Sequence, residues 1–209
     1  MLDPFAGGSV RGIVASKLGF PYIGIELRTE QVAANMEQGT ALCGVPAPRW
    51  VVGDSREILP HMAAGGEPVS ADFIFSCPPY ADLERYSDDP RDISTYPYVQ
   101  FRAAYSEIIA GACALLKPNR FACFVVGDAR GKDGNYYGLP WHTVQAFEDA
   151  GLRLYNESVL VTAIGSLPVR VTRQFEAGRK LGKTHQNIFI FVKGDGKKAA
   201  AACGGKDGN

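Results

Sequence analysis

The sequence has no surplus of either charge, no long apolar run and no clustered cysteines, and each lack removes a class of function. Its 22 Lys and Arg residues balance 22 Asp and Glu, so no global positive field advertises nucleic acid and any such contact has to come from a local patch. No apolar stretch approaches the roughly 20 residues that a membrane span needs, and the first residues have neither a basic nor an apolar signal-like region. That points to a cytoplasmic protein with no membrane partner. The cysteines Cys43, Cys77, Cys113, Cys123 and Cys203 lie far apart, without CxxC or Cys/His spacing, so neither a zinc site nor a disulfide framework is expected. No metal is expected, and most of the thiols should be buried and reduced. What is present is core material: 209 residues, 46% hydrophobic and 21% charged, suit one α/β domain without internal repeats.

Met1 to Gly8 reads as the end of a strand, itself almost missing, running into a glycine turn and a helical stretch from Ser9 to Leu18. Pro21 to Leu27, Trp50 to Gly53, Asp72 to Ser76 and Phe121 to Gly127 are apolar runs of strand length, the last continuous enough for a buried parallel strand. Helices are expected from Glu30 to about Cys43, with Thr29 as N-cap, from about Val99 to Leu116, and from about Pro140 to Ala150. Leu83 to Tyr98 is a long polar loop, and Lys132 to Gly138 an exposed turn. A strand from about Arg153 to Ala163, a basic insertion from Ile164 to Gln186 and a strand from Asn187 to Val192 follow. The alternation implies a mostly parallel sheet with helices on both faces. The last two strands lack a long helical crossover and predict an antiparallel hairpin at one edge, the pattern of a Rossmann-like methyltransferase sheet more than of a plain dinucleotide fold. The domain is expected over residues 1–194, its first strand truncated, with residues 195–209 as a disordered tail.

Ligands in such sheets sit beyond the carboxyl ends of the strands, where glycines let the backbone approach and helix N-termini face the ligand. Asp3-Pro4-Phe5-Ala6-Gly7-Gly8-Ser9 supplies a glycine turn there. Glu26 closes the second strand, where a carboxylate can accept hydrogen bonds from both ribose hydroxyls. Asp54 closes the third, as an acceptor for an adenine amino group or simply as a helix cap beside Ser55.

Together these residues resemble the class I S-adenosylmethionine-dependent methyltransferases, specifically the amino-methyltransferases that modify DNA. Asp3 to Gly8 matches their first motif, with Gly8-Ser9 shifted from the usual Gly-Ser-Gly, Glu26 their second acidic position and Gly53-Asp54 their third. The resemblance covers roughly Met1 to Lys193 and implies S-adenosylmethionine as cofactor, with Asp3 and Gly7 near its methionine portion and Phe5 and Ala6 lining the pocket. Its motif style is similar to that of phage or prophage modification enzymes. The family usually carries a further segment before the first strand, so a misassigned start or a fragment is expected.

Cys77-Pro78-Pro79-Tyr80 ends the fourth strand abruptly. The family's turn has Asp, Asn or Ser before Pro-Pro and an aromatic after it. Its first side chain and the following carbonyl accept the protons of an exocyclic amine, and its aromatic stacks on a base turned out of the helix. Cys77 departs from that pattern, since a thiol is a weak acceptor. Three readings stand: methylation of an adenine or cytosine amino group; carbon-5 methylation of a pyrimidine with Cys77 as nucleophile; or a cysteine that merely packs. Ser76 could substitute through a local shift, although strand alternation points it the other way. RNA and protein methyltransferases with similar turns, and a non-catalytic DNA-binding module, are the rival functions.

The loop after the turn is acidic, with Asp82, Glu84, Asp88, Asp89 and Asp92 against Arg85 and Arg91, and suits a cover over the cofactor better than a phosphate grip. In the later insertion Arg170, Arg173, Arg179, Lys180 and Lys183 face only Glu176, which suits neutralisation of a DNA backbone. His185, before the last strand, is a candidate substrate contact. Asp128 is expected to support the catalytic loop or to cap a helix, and Trp50 and Trp141 to pack. With no large recognition domain after these motifs, specificity has to come from the two loops, a specificity partner or a homodimer.

Overall fold

The computed structural model describes residues 1–65, 70–165 and 167–204, the side chains of 168 and 170 excepted. Among them, one seven-stranded sheet runs in the order β3-β2-β1-β4-β5-β7-β6. The strands are β1 (Leu2–Asp3), β2 (Ile23–Glu26), β3 (Arg49–Val52), β4 (Ala71–Ser76), β5 (Leu116–Val126), β6 (Arg153–Val161) and β7 (His185–Lys193). β1 to β5 are parallel, and β7 runs antiparallel between β5 and β6. The mostly parallel sheet with an antiparallel pair at one edge agrees with the expected fold class.

Among the described residues six α-helices connect the strands, α1 (Val10–Lys17), α2 (Thr29–Leu42), α3 (Ser55–Ala63), α4 (Tyr98–Leu115), α5 (Leu139–Asp149) and α6 (Leu167–Gly178), and α7 (Gly196–Ala202) follows the last strand. The larger core contains Ile25, Leu59, Ile74, Phe101, Tyr105, Phe124, Phe147 and Phe191, with Phe147 stacked on Phe191 at 4.0 Å between centroids. A second, smaller core joins Ala15 of α1, Tyr22, Val32 of α2 and Trp50 of β3. Trp50 fits there because Gly12 and Gly39 lack side chains; a Cβ on Gly12 would lie 2.5 Å from its ring.

Several expectations need correction. α3 forms where no helix is expected, although it includes Pro60; Asp54 caps its first turn by accepting from Arg56 N. α2 begins at Thr29 with no side-chain cap. The basic insertion contains α6. The tail after residue 194 is not disordered over its described part: Asp195 accepts from Lys197 N and Lys198 N to cap α7, whose Ala199 is fully buried. Asn119 Oδ1 also accepts from Asp195 N at 2.9 Å, tying this segment back to β5. Trp141 does not pack, being 71% exposed on α5. Only Cys113 and Cys123 of the five thiols are buried, and burial pushes them up to about 12 and about 11. No helix among the described residues is long and apolar enough to cross a membrane.

Gly12→Ala tests the close approach of α1. Helix propensity alone favours alanine by about 1 kcal/mol, but forcing a methyl against the rigid Trp50 ring costs about 1–3 kcal/mol. The variant is expected to unfold at lower urea concentration than the parent with an unchanged m-value, whereas a stabilised variant would show that α1 can move away at no cost.

Candidate active site

The first element of the site is a carboxylate with no exposed surface. Asp3 Oδ1 accepts from Ser76 Oγ at 2.5 Å and from Phe5 N at 3.2 Å. Its Oδ2 accepts from Arg11 Nε at 2.5 Å and Tyr22 Oη at 3.0 Å. Burial and the adjacent carboxylate push the Tyr22 phenol well above its ordinary range, which keeps it a proton donor to Asp3. Arg11 Nη2 also donates to the carbonyls of Phe5 and Ala6, at 2.6 and 2.8 Å. Asp3 therefore clamps the start of the glycine turn, and it is Arg11, not Asp3, that reaches the cavity beyond.

That cavity, of about 370 Å³, is lined by the ends of four parallel strands. Phe5, Gly7 and Gly8 come from the turn after β1, Glu26 from β2, Gly53 and Asp54 from the end of β3, and Cys77 and Pro79 from the turn after β4. Ala6 is fully buried in the smaller core and does not line it. A Cβ on either Gly7 or Gly8 would meet nothing within 4 Å, and Gly7 has φ +52°. Both therefore leave a cradle open on the cavity side. Glu26 Oε2 accepts from Gly7 N and Oε1 from Arg28 N, each at 3.0 Å, so its remaining lone pairs are aimed by the turn it holds.

The turn itself is carried by α2. Gln31 and Asn35 stand one helical turn apart. Arg28 donates to Gln31, Gln31 to Asn35 Oδ1, and Asn35 Nδ2 to the Gly7 carbonyl at 2.7 Å. Asp54 is more heavily committed: it caps α3 and pairs with Arg56 through both oxygens. Tyr86, Arg91, Asp92 and Ile93, from the segment after the turn, complete the wall. Buried Asp92 orders that segment by accepting from Ser87 and Ser94.

At the mouth, Cys77 Sγ lies 3.4 Å from Tyr80 Oη. Gln186 Nε2, from β7, donates to the same oxygen at 2.8 Å. The Tyr80 ring packs over Gly127 at the end of β5, where a Cβ would come within 2.8 Å of it. Ala81 follows with φ +55°, a conformation that costs a non-glycine residue about 1–2 kcal/mol. Ser76, as alternation predicts, points away from the mouth and into the Asp3 cluster.

Beyond Tyr80, the turn after β5 meets the insertion before β7. Arg130 lies 3.7 Å over the Tyr136 ring, with Lys183 Nζ 5.8 Å from its centroid. Lys180 packs against Gly134. Arg173 and Arg179 are exposed on and just after α6, and the side chain of Arg170 lies outside the described residues. His185 is exposed at the first position of β7, opposite Val161. Asp128 accepts from Gly138 N and Leu139 N, and thus caps α5.

No family model matches the sequence, and no curated protein matches it. Solved structures do. A SAM-dependent methyltransferase from Methanosarcina mazei is 15% identical, with a TM-score of 0.58 over 92% of this chain and 91% of that one. Magnesium protoporphyrin IX methyltransferase from Synechocystis, solved with SAH bound, is 12% identical, with a TM-score of 0.57 over 92% and 72%. TrmN from Thermus thermophilus is 19% identical, with a TM-score of 0.56 over 92% of this chain. This chain spans only 43% of that protein's length. The fold is that of the Rossmann-like methyltransferases.

Sequence reasoning missed Arg11, Asn35, Tyr86 and Gln186. The first two had a weak signal, since both fall on the helices that flank the glycine turn; the others join only through long-range packing. Asp3→Asn tests the buried cluster. Breaking a buried pair from one side costs about 3–5 kcal/mol, and the lower end is expected because Arg11 keeps some contact with water. A loss of that size in urea denaturation is predicted, and a loss below about 1 kcal/mol would refute the central role of Asp3.

Proposed function

We propose that this protein is a methyltransferase that uses S-adenosylmethionine to methylate the exocyclic amino group of adenine or cytosine in DNA, on a base turned out of the helix. The observation that carries the reading is the convergence of four strand ends on one cavity, with the Cys77-Pro78-Pro79-Tyr80 turn at its mouth. The cofactor fits the residues present. Gly7 and Gly8 leave open the cradle that a Cβ would fill, Glu26 suits the ribose hydroxyls, and Phe5 gives an apolar wall. Asp54 suits an adenine amino group only if it shares lone pairs already taken by Arg56. Arg11 adds a cationic donor on the same wall, suited to a carboxylate.

Bound there, the cofactor supplies an electrophilic methyl group. The chain's part is to position the nucleophile and accept its protons. The Cys77 sulfur and the carbonyl that follows it are the acceptors, and Tyr80 is the platform for the base. Nucleic acid as substrate is supported by the exposed Arg173 and Arg179 and the partly buried Lys180 and Lys183, the last beside the half-exposed Tyr136, a mixture of cations and aromatics suited to backbone and bases.

One observation favours carbon-5 methylation as a second reading. Arg11 and Cys77 line the same cavity, and the Tyr80 hydroxyl lies 3.4 Å from the sulfur, an arrangement that suits a cysteine nucleophile. Radiolabelled methyl transfer to DNA, RNA and protein pools, with mass spectrometry of the nucleosides, separates the two. An N-methylated base that persists in Cys77→Ser is the expected result. A 5-methylpyrimidine lost in that variant would select the second reading, and no label in any pool would overturn methyl transfer. Lys180→Ala combined with Lys183→Ala is expected to reduce the slope of log affinity for DNA against log salt by about 2, since each phosphate contact contributes about 0.9. An unchanged slope would remove these lysines from the interface.

A further inference from the structure

We infer that Gln186 is the positioning residue of the Cys77–Tyr80 pair, fixing the phenol so that its proton is donated to the Cys77 sulfur. The argument is one of donors and acceptors. A phenol has one proton to give and two lone pairs to fill. Gln186 Nε2, an amide nitrogen, can only donate, and it does so to Tyr80 Oη at 2.8 Å. With Gln186 donating from β7, the hydroxyl proton is directed to Cys77 Sγ at 3.4 Å, within range for sulfur, and a thiolate there can only accept it.

The ring cannot swing to another partner without leaving Gly127, whose missing side chain admits it. Burial, and then the hydrogen bond to the sulfur, push the Tyr80 phenol well above its ordinary range, so it remains a donor at neutral pH. A thiol is a poor acceptor, but a thiolate that receives a hydrogen bond is stabilised and can take a proton. The departure of Cys77 from the expected acceptor types is thereby offset by its neighbour.

The use of that sulfur rests on the proposed methyl transfer. There the exocyclic nitrogen bonds to the methyl with its lone pair, the electron pair of the broken bond stays on the donor's sulfur, and the N–H proton passes to Cys77 Sγ. Arg11 of α1, Tyr86 after β4 and Tyr105 of α4 also stand within electrostatic reach of Cys77. They are unaltered in the variants below, so differences among those variants report on the Tyr80 bond.

The test is alkylation of Cys77 by iodoacetamide in the full folded chain, followed against pH by peptide mass spectrometry, with Cys203 as the exposed internal reference. Tyr80→Phe removes the donated proton. Gln186→Glu offers a carboxylate that can only accept, drawing the proton away from sulfur, whereas Gln186→Leu removes the tether without competing for it. We expect the midpoint of the alkylation curve to rise in Tyr80→Phe and Gln186→Glu. Alkylation at neutral pH should then slow by roughly threefold, the tenfold loss of thiolate per unit being partly offset by its greater nucleophilicity. Gln186→Leu should slow alkylation by less than Gln186→Glu but measurably; a rate equal to the parent's would show that the phenol needs no tether and would overturn the role of Gln186.

An unmoved curve in Tyr80→Phe would overturn the donation to sulfur. Equal slowing in Gln186→Leu and Gln186→Glu would show loosened packing instead of a fixed proton, and would overturn the role of Gln186. Alkylation needs no methyl donor, so these outcomes are independent of whether label transfer occurs.

Discussion

A carboxylate taken wholly out of water has to have its charge and its lone pairs met inside the protein, and Asp3 meets both needs at the junction of four elements. Ser76 reaches it from the end of β4, Tyr22 from the approach to β2, Arg11 from α1 and Phe5 N from its own turn. Each ion removed from water costs several kcal/mol before its partners compensate. That cost makes the arrangement selective: only a chain that brings all these groups together can keep the charge. β1 has just two residues, too few for ladder hydrogen bonds alone to fix the glycine turn. The aspartate at its end supplies the missing constraint, and the geometry of Gly7 and Gly8 follows from it.

The cluster also explains a division of labour within the turn. Residues with no exposed surface, Asp3 and Ala6, act through others, while Phe5, Gly7, Gly8 and Arg11 form the wall. Glu26 works in both ways, since one oxygen receives Gly7 N and the other Arg28 N. A second chain of side chains along α2 ends on the Gly7 carbonyl. The glycine turn is thus held from its N–H and its C=O by different elements. Preorganisation of this kind lowers the ordering cost of any ligand that binds there.

Strand ends were the legible part of the sequence. Apolar runs halted by glycine, acidic residues or consecutive prolines marked β2 to β5, and the ligand side of such a sheet is a property of its topology, so Gly7, Gly8, Glu26, Asp54 and Cys77 could be assigned to one edge before any coordinates. Short helices that contain a breaker or lie in a polar tail were less legible. α3 contains Pro60 and α7 is mostly alanine and lysine; both are stabilised by an aspartate cap and by packing that local pattern does not encode. Contacts between residues 106 apart, such as Gln186 with Tyr80, were beyond reach for the same reason. Trp141 shows the opposite failure: its size suggested core, but it sits on the solvent face of α5.

Tyr80 shows how the fold fixes an aromatic side chain at the end of a strand. Its hydroxyl is tied to β7 through Gln186 and to its own turn through Cys77, and its ring rests on Gly127. Such a ring has already lost its rotamer freedom in the folded protein. Under the proposed function, a base stacking on it would have no side-chain ordering cost to overcome there, a saving of about 0.5–1.5 kcal/mol for a side chain of this kind. The strained backbone at Ala81 opposes folding by a similar amount, and it persists because the contacts of Tyr80 and the buried packing of Ala81 determine the turn from both sides. Rigidity at Tyr80 and strain at Ala81 are two aspects of one constraint: the chain must stop extending directly after β4 and present an aromatic face beside the sulfur.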